Sequence, residues 1–260
     1  MRLNLFLSFV SLFFLAIIAS GAGDRSEEIL QNMDNLLRGV ESSSGEYTMT
    51  IAKERWKKPR LLKMKTWEVR KTDQRPGKNL IIITEPANEA GKGFLKIGNE
   101  MWGYFPEVKT TTKIPRSMMF EGWMGSDFTN DDLMRQGSAV NDYSHRTIGS
   151  RAENGQTVLT IELVPKAEAL ETWGKIVIEL RESDSLPLKQ EFYNAKGKLV
   201  RTMIFSDIKT FGDRTLPSKW IMKPANKPND STTFIIDTIQ FNVTISDDVF
   251  TLENLKRGGK

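Results

Sequence analysis

Leu80-Ile81-Ile82-Ile83 and Leu199-Val200-Arg201-Thr202-Met203-Ile204-Phe205 are the stretches on which the fold turns. Successive side chains of an extended chain point to opposite faces, so Leu80 and Ile82 oppose Ile81 and Ile83. In the second stretch Leu199, Met203 and Phe205 face one way, Val200 and Ile204 the other. A strand from a sheet with one wet face alternates apolar and polar residues. These strands are apolar on both faces, so both must be covered. Plain burial under helices and a second sheet layer explains the pattern. So does a sheet curved around an apolar cavity, the geometry by which barrels hold ligands. The residues leave both readings open.

Working outward, period-two patterning begins near Gly45, where Tyr47, Met49 and Ile51 alternate with Thr48, Thr50 and Ala52. Further strands are expected at 60–71, 79–85, 93–98, 101–105, 109–114, 143–150, 156–164, 174–182, 187–194, 198–210, 216–223 and 232–245. Gly98-Asn99, Asn154-Gly155, Lys196-Gly197 and Gly212-Asp213 supply turn chemistry between them. Short strands at hairpin spacing indicate a mainly β chain with an antiparallel sheet or barrel, not alternating βαβ units. One helix precedes them. Ile29, Leu30, Met33, Leu36 and Leu37 recur at helical spacing, Ser26 is placed to cap, and Gly39 is placed to end it.

The first segment reads as an address. Arg2 precedes an apolar run from Leu5 to Ala19, followed by the small residues Ser20 and Ala22. That is the layout of a secretory signal peptide, and the run is short of the roughly 20 residues that span a bilayer. The expectation is cleavage after Ala22 (signal peptide 1–22) and a single exported, soluble domain over 23–260. The whole chain of 260 residues has 37 Lys and Arg, 33 Asp and Glu, one His and no Cys. The absence of Cys excludes disulfides and thiol chemistry. A net charge of +4 without basic clustering gives no case for nucleic acid. Basic runs such as Lys57-Lys58-Pro59-Arg60 read as solvated strand ends, with contact to an anionic membrane surface as the alternative.

Strand patterning breaks between Pro115 and Ala139. Met118, Met119, Phe120, Trp123, Met124, Phe128, Leu133 and Met134 crowd this stretch. Methionine suits surfaces that accommodate varied apolar partners. Gly122 and Gly125 punctuate the segment, and Thr129 with Asp132 forms a capping-box pattern for a helix starting at Asn130. Pro165 to Thr172 is a second candidate cover. Asp127, Asn130, Asp131 and Asp132 fail as a calcium loop, because Asp132 and Ser138 occupy the Gly and Glu positions. Capping accounts for the same residues. His145 lies in a strand with no nucleophile motif, and Ser126 lacks the flanks of a nucleophile elbow. The chain reads as no enzyme, with no cofactor and no metal.

Several motifs together resemble a known family. Gly93-Phe94-Leu95-Lys96, Met101-Trp102-Gly103-Tyr104-Phe105-Pro106 and Lys113-Ile114-Pro115 are three of them. The most specific is Trp123-Met124-Gly125-Ser126-Asp127-Phe128-Thr129-Asn130-Asp131-Asp132-Leu133. Leu216-Pro217-Ser218-Lys219-Trp220 and Asp248-Val249-Phe250-Thr251 follow later. They look like the outer-membrane lipoprotein-sorting proteins, LolA-like periplasmic proteins of bacteria with two membranes. The resemblance implies a mainly β (α+β) fold: a strongly curved antiparallel sheet forming an unclosed β-barrel, helices on its concave face, and a hydrophobic cavity for acyl chains. It implies a periplasmic carrier or chaperone for lipoprotein acyl chains or phospholipid. The alternative is a non-enzymatic interaction or sensor module associated with an inner-membrane transporter of the RND type. Trp102, Tyr104, Met118, Met119, Phe120, Trp123, Met124 and Phe128 are the candidate lining residues. Neither the residues nor the resemblance fixes an oligomeric state.

Overall fold

The computed structural model describes residues 25–134, 138–167 and 173–259. The expected signal peptide and most of the second candidate cover lie outside them. Thirteen strands follow an opening helix, α1 (Ser26–Arg38). They are β1 (Ser42–Ala52), β2 (Arg60–Val69), β3 (Lys78–Glu85), β4 (Gly93–Ile97), β5 (Glu100–Phe105), β6 (Thr110–Lys113), β7 (Tyr143–Glu153), β8 (Gln156–Pro165), β9 (Lys175–Arg181), β10 (Pro187–Tyr193), β11 (Leu199–Phe211), β12 (Arg214–Pro224) and β13 (Ser231–Phe241). Every expected strand is present, with ends shifted by a few residues.

All thirteen form one antiparallel sheet in the order β6-β5-β4-β3-β2-β1-β13-β12-β11-β10-β9-β8-β7. Among the described residues no second sheet layer stacks on it, and the sheet is not closed into a barrel, since β6 and β7 are its two edges. Both edges are polar, Thr110 to Lys113 on one and mostly exposed residues of β7 on the other, which discourages pairing with a further strand. The chain builds one half outward from the centre, β1 to β6. It crosses to the far edge, then builds the other half inward from β7 to β13. There β13 pairs with β1 from Ser43↔Phe241 to Ala52↔Ser231.

This topology decides what covers the faces. Eleven of the connections between successive strands are hairpins. The twelfth joins opposite edges, and its described parts, 114–134 and 138–142, pass over a face. It carries two short helices, α2 (Asn130–Met134) and α3 (Ser138–Asn141), besides 3₁₀ turns at Arg116–Met118 and Trp123–Gly125. The segments before β1 and after β13 also leave from the middle of the sheet.

α1 covers the half built by β7 to β12. Its Ile29, Leu30 and Met33 pack with Tyr143, Ile161, Leu163, Ile178, Leu180, Phe192 and Met222. Ser26 is not the cap. It is the buried first residue of the helix, Arg25 holds the capping position, and Arg25 instead pairs with Glu28. Gly39 ends the helix at φ 80°, and a Cβ there would meet the Ser42 carbonyl oxygen at 2.6 Å, so the turn into β1 requires glycine. The opposite face of β2 to β4 is covered by the C-terminal segment. A 3₁₀ turn (Asp247–Phe250) and α4 (Leu252–Lys256) place Phe250 and Leu255 on Val69, Leu80, Ile82 and Leu95. Ser246 and Thr251 cap these two turns through Asp248 N–H and Asn254 N–H.

The double coverage has a direct test. Leu255 is fully buried, so Leu255→Ala is expected to cost about 2–5 kcal/mol in urea unfolding. Leu252→Ala, on the exposed side of α4, is expected to stay within about 0.5 kcal/mol. Equal effects would mean that the C-terminal segment does not close the second face.

Candidate functional site

The central apolar layer lies on the face crossed by residues 114–142. Met49, Ile51, Leu62, Met64, Ile81, Ile83, Phe94, Met101 and Ile236 rise from the strands, and Met119 and Trp123 come down on them from the crossover. Met124 and Phe128 pack at its margin. Phe128 and Leu37 also touch the layer under α1, so the two are continuous. Trp123 is 1% exposed. Its ring meets Phe94 edge-on at 5.3 Å, and its indole N–H has no hydrogen-bond acceptor among the described residues. An aromatic row, Tyr47, Phe234 and Trp220, runs across the central strands with centroid spacings of 5.0 and 5.8 Å, and Phe128 caps it at 6.2 Å from Phe234. Burial holds the Tyr47 phenol neutral to well above its usual range.

Eight residues were expected to line one cavity, and the structure sorts them into three groups. Met119, Trp123, Met124 and Phe128 are together on this layer. Trp102 and Tyr104 are on the other face, beside Trp67, Leu95 and Phe250. Their strand neighbours Met101 and Phe105 point to the crossover instead, as period two requires. Met118 and Phe120 are exposed at 47% and 57%. Leu133 and Met134 lie within α2, and their side chains are outside the described ones.

The crossover is knit internally before it touches the sheet. Trp123 N–H donates to Phe128 C=O at 2.7 Å, and Asp131 N–H to Met119 C=O at 2.7 Å. Asn130 Nδ2 donates to Met118 C=O at 2.9 Å. The capping box is formed as expected: Asp132 N–H donates to Thr129 Oγ1 at 3.2 Å, and Thr129 N–H to Asp132 Oδ2 at 2.7 Å.

Polar clamps tie this unit to the sheet, and the sequence reading missed their partners. Lys53 at the end of β1 pairs with Asp127 and, at 3.5 Å, with Asp230. Thr232 Oγ1 donates to Asp127 Oδ2 at 2.7 Å. Glu54 N–H donates to Asp230 at 2.9 Å, and this bond first, then Lys53, holds the Asp230 carboxyl below its ordinary range. Arg201 of β11 is 4% exposed. It grips both Asp132 oxygens, donates to Asp127 C=O at 3.0 Å, and lies over the contacting pair of Trp173 and Phe192 rings, 4.5 and 4.6 Å from their centroids. The acidic cluster is thus a set of anchors, and among the described residues no group of carboxylates or His has metal-site geometry. His145 likewise hydrogen-bonds Val140 C=O through Nε2 at 2.9 Å.

Lys96 stands at the edge of the same layer, on the Phe94 face, opposite Met101. It is buried, and desolvation, reinforced by Arg38, lowers its pKa to about 8 despite nearby Glu68. On the other face, a half-open cleft of about 370 Å³ lies between Trp67 and the C-terminal turns. Val249 lines it beside Trp67, together with the charged Asp248, Glu253 and Arg257, so its wall is part apolar and part charged.

Solved structures share this architecture. An outer membrane lipoprotein-sorting protein domain from Vibrio parahaemolyticus is 24% identical, with TM-score 0.76 over 89% of this chain and 98% of its own. A DUF1329 family protein from Desulfovibrio piger gives 21%, 0.78, 88% and 97%. A LolA superfamily protein from Nitrosomonas europaea gives 20%, 0.72, 89% and 99%. A family model described only as an uncharacterized protein matches residues 76–257, more than half of the chain. The chain belongs to the family that this model describes. No curated protein matches it. The matched residues 76–257 include the whole crossover with its Trp123 to Asp132 run, together with Arg201, Asp230 and Thr232. Among the described residues, no helix is long and apolar enough to cross a membrane.

Two measurements test these electrostatics. Asp132→Ala leaves Arg201 charged and buried, so it is expected to cost about 3–5 kcal/mol, while Asp132→Leu with Arg201→Met recovers most of that loss. A double variant as unstable as the single would remove the clamp from the account. For Lys96, the folded state gives up its proton near pH 8 and the unfolded chain near its usual 10.5. Below pH 8 the burial penalty is fully present, and stability rises as pH climbs from there toward 10.5. Tyr47 works in the opposite sense above about pH 10, so the window to use is pH 7 to 9.5. Thermal melts of Lys96→Met should lose the rise seen in the parent.

Proposed function

We propose that this LolA-like chain is a non-enzymatic periplasmic carrier or chaperone for lipidated or lipid ligands, holding acyl chains between the sheet and the crossover of residues 114–142. The export expected from residues 1–22 puts it in the periplasm, with 23–260 as its working domain. One observation carries the reading. Met119, Trp123, Met124 and Phe128 lie on a broad apolar strand layer, and the unit that bears them is clamped by ion pairs through Asp127 and Asp132 rather than by sheet pairing of its own. A cover hinged on its polar clamps lifts from the sheet as a unit. Acyl chains then take the place of its side chains, with burial worth about 0.8 kcal/mol per CH₂. The flexible thioethers of Met119 and Met124 repack around chains of different length. The solved lipoprotein-sorting relative with the same fold supports the same class of ligand.

The exchange also suits the geometry of Trp123. Its buried N–H finds no acceptor in the described protein, and an ester or amide carbonyl at the head of an acyl chain supplies one. The reading therefore favours acylated ligands over plain hydrocarbon.

Native mass spectrometry of the protein purified from a two-membrane bacterium, followed by lipid extraction, tests this. Phospholipid or acylated peptide is expected to co-purify. It should be lost on Met119→Asp or Trp123→Asp with circular dichroism unchanged, and kept on Met118→Asp, which changes an exposed position. A clean unliganded mass for the parent protein after incubation with lipoprotein would overturn the reading.

A further inference from the structure

The two ends of the sheet differ in charge. The registers place five fully described loops at one end: 53–59, 86–92, 106–109, 194–198 and 225–230. Residues 53–59 carry three net positive charges, 194–198 carry two, and the other three loops none. At the opposite end, loops 39–41, 182–186 and 212–213 carry four acids. Against them, 70–77 supplies a net two cations, and the remaining turns are neutral.

Pairing sharpens the contrast. The acids of these five loops are engaged. Glu89 is held by Arg60 and Lys92, Glu107 by Lys92, Asp230 by Lys53, and Glu54 by Asn229. Lys57, Lys58, Lys109, Lys196, Lys198 and Lys227 are exposed and have no ion pair among the described residues. They sit on hairpin tips from both halves of the sheet, so their charges spread over a rim and do not converge on a pocket. Exposed Arg55 joins them in loop 53–59, and the other six are lysines, compact charges without the fixed fork of arginine that reads a particular carboxylate. Val108, 67% exposed beside Lys109, adds an aliphatic tip to the rim.

We propose that this rim docks the protein, end-on, onto the anionic headgroups of a lipid bilayer. A plane of diffuse negative charge matches spread lysines, attracts each of them, and is felt only within about 10 Å at 0.1 M salt. End-on docking also places the clamp between Lys53 and Asp127, which lies at the same end, next to the membrane. The proposal does not depend on acyl binding. Trp123→Asp is expected to dock like the parent, so its failure and that of the carrier reading are separable.

The test is co-sedimentation with vesicles of phosphatidylcholine containing about one-third phosphatidylglycerol. Binding is expected at low salt and should be lost in about 0.5 M salt or on pure phosphatidylcholine. Replacing Lys57, Lys58, Lys196 and Lys198 by Gln is expected to weaken it on the order of a hundredfold or more, from roughly fivefold per lysine. These exposed tip positions leave the fold intact by circular dichroism. Lys71→Gln with Arg75→Gln, at the opposite end, should bind as the parent does. Undiminished binding of the four-lysine variant would overturn the proposal. So would failure on anionic vesicles with retention on immobilised polyglutamate, which would assign the rim to an acidic protein.

Discussion

A sheet whose strands are apolar on both faces cannot stand alone in water, and most of this structure follows from how those faces are covered. β1 and β13 are paired at the centre, so the chain enters and leaves in the middle of the sheet while its two halves end at opposite edges. Three segments are then forced over the sheet: α1, the edge-to-edge crossover and the C-terminal turns. α1 and the crossover share one face through Leu37 and Phe128. The C-terminal turns take the other over β2 to β4. Hydrophobic burial supplies the adhesion, since it acts in proportion to area and without direction. Topology decides which segment does the covering.

The crossover differs from the other two covers in how it is held. α1 and α4 are stabilised by apolar stripes and caps. The crossover has an apolar underside too, but its position is set by Asp127 and Asp132 meeting Lys53, Thr232 and Arg201. Buried ion pairs contribute little net stability against well-packed apolar substitutes, yet they are costly to leave half-made. They therefore fix one docked arrangement of a segment whose Met-rich contact surface would otherwise tolerate several. The proposed carrier role draws on both features, the specific polar clamp and the adaptable apolar underside.

The strands were legible because short apolar runs, some alternating and some apolar on both faces, are bounded by turn residues such as Gly98, Gly155, Gly197 and Gly212. The capping box at Thr129 and Asp132 was legible because it is local. The candidate site was only half legible. Trp102 and Tyr104 were grouped with Trp123 by their composition, although alternation with Met101 and Phe105 already separates the two faces. Which face the crossover would take depended on pairings nearly 200 residues apart, such as Ser43 with Phe241. Lys53, Arg201 and Thr232 gave no signal for the same reason, lying 69 to 105 residues from the carboxylates they hold. Ser26 was misplaced by one position, the ordinary uncertainty of a helix end.

The central claim is that acyl chains lie between the strand layer and the crossover. The most direct measurement is photo-crosslinking with a diazirine-labelled fatty acid, followed by peptide mapping of the modified residues. The account predicts labels on Met119, Trp123 or Met124 and on facing strand residues such as Ile81, Ile83 and Met101, reduced by competing unlabelled acylated peptide. Labels confined to the opposite face, around Trp67, Trp102 and Tyr104, would contradict it and place the ligand under the C-terminal turns.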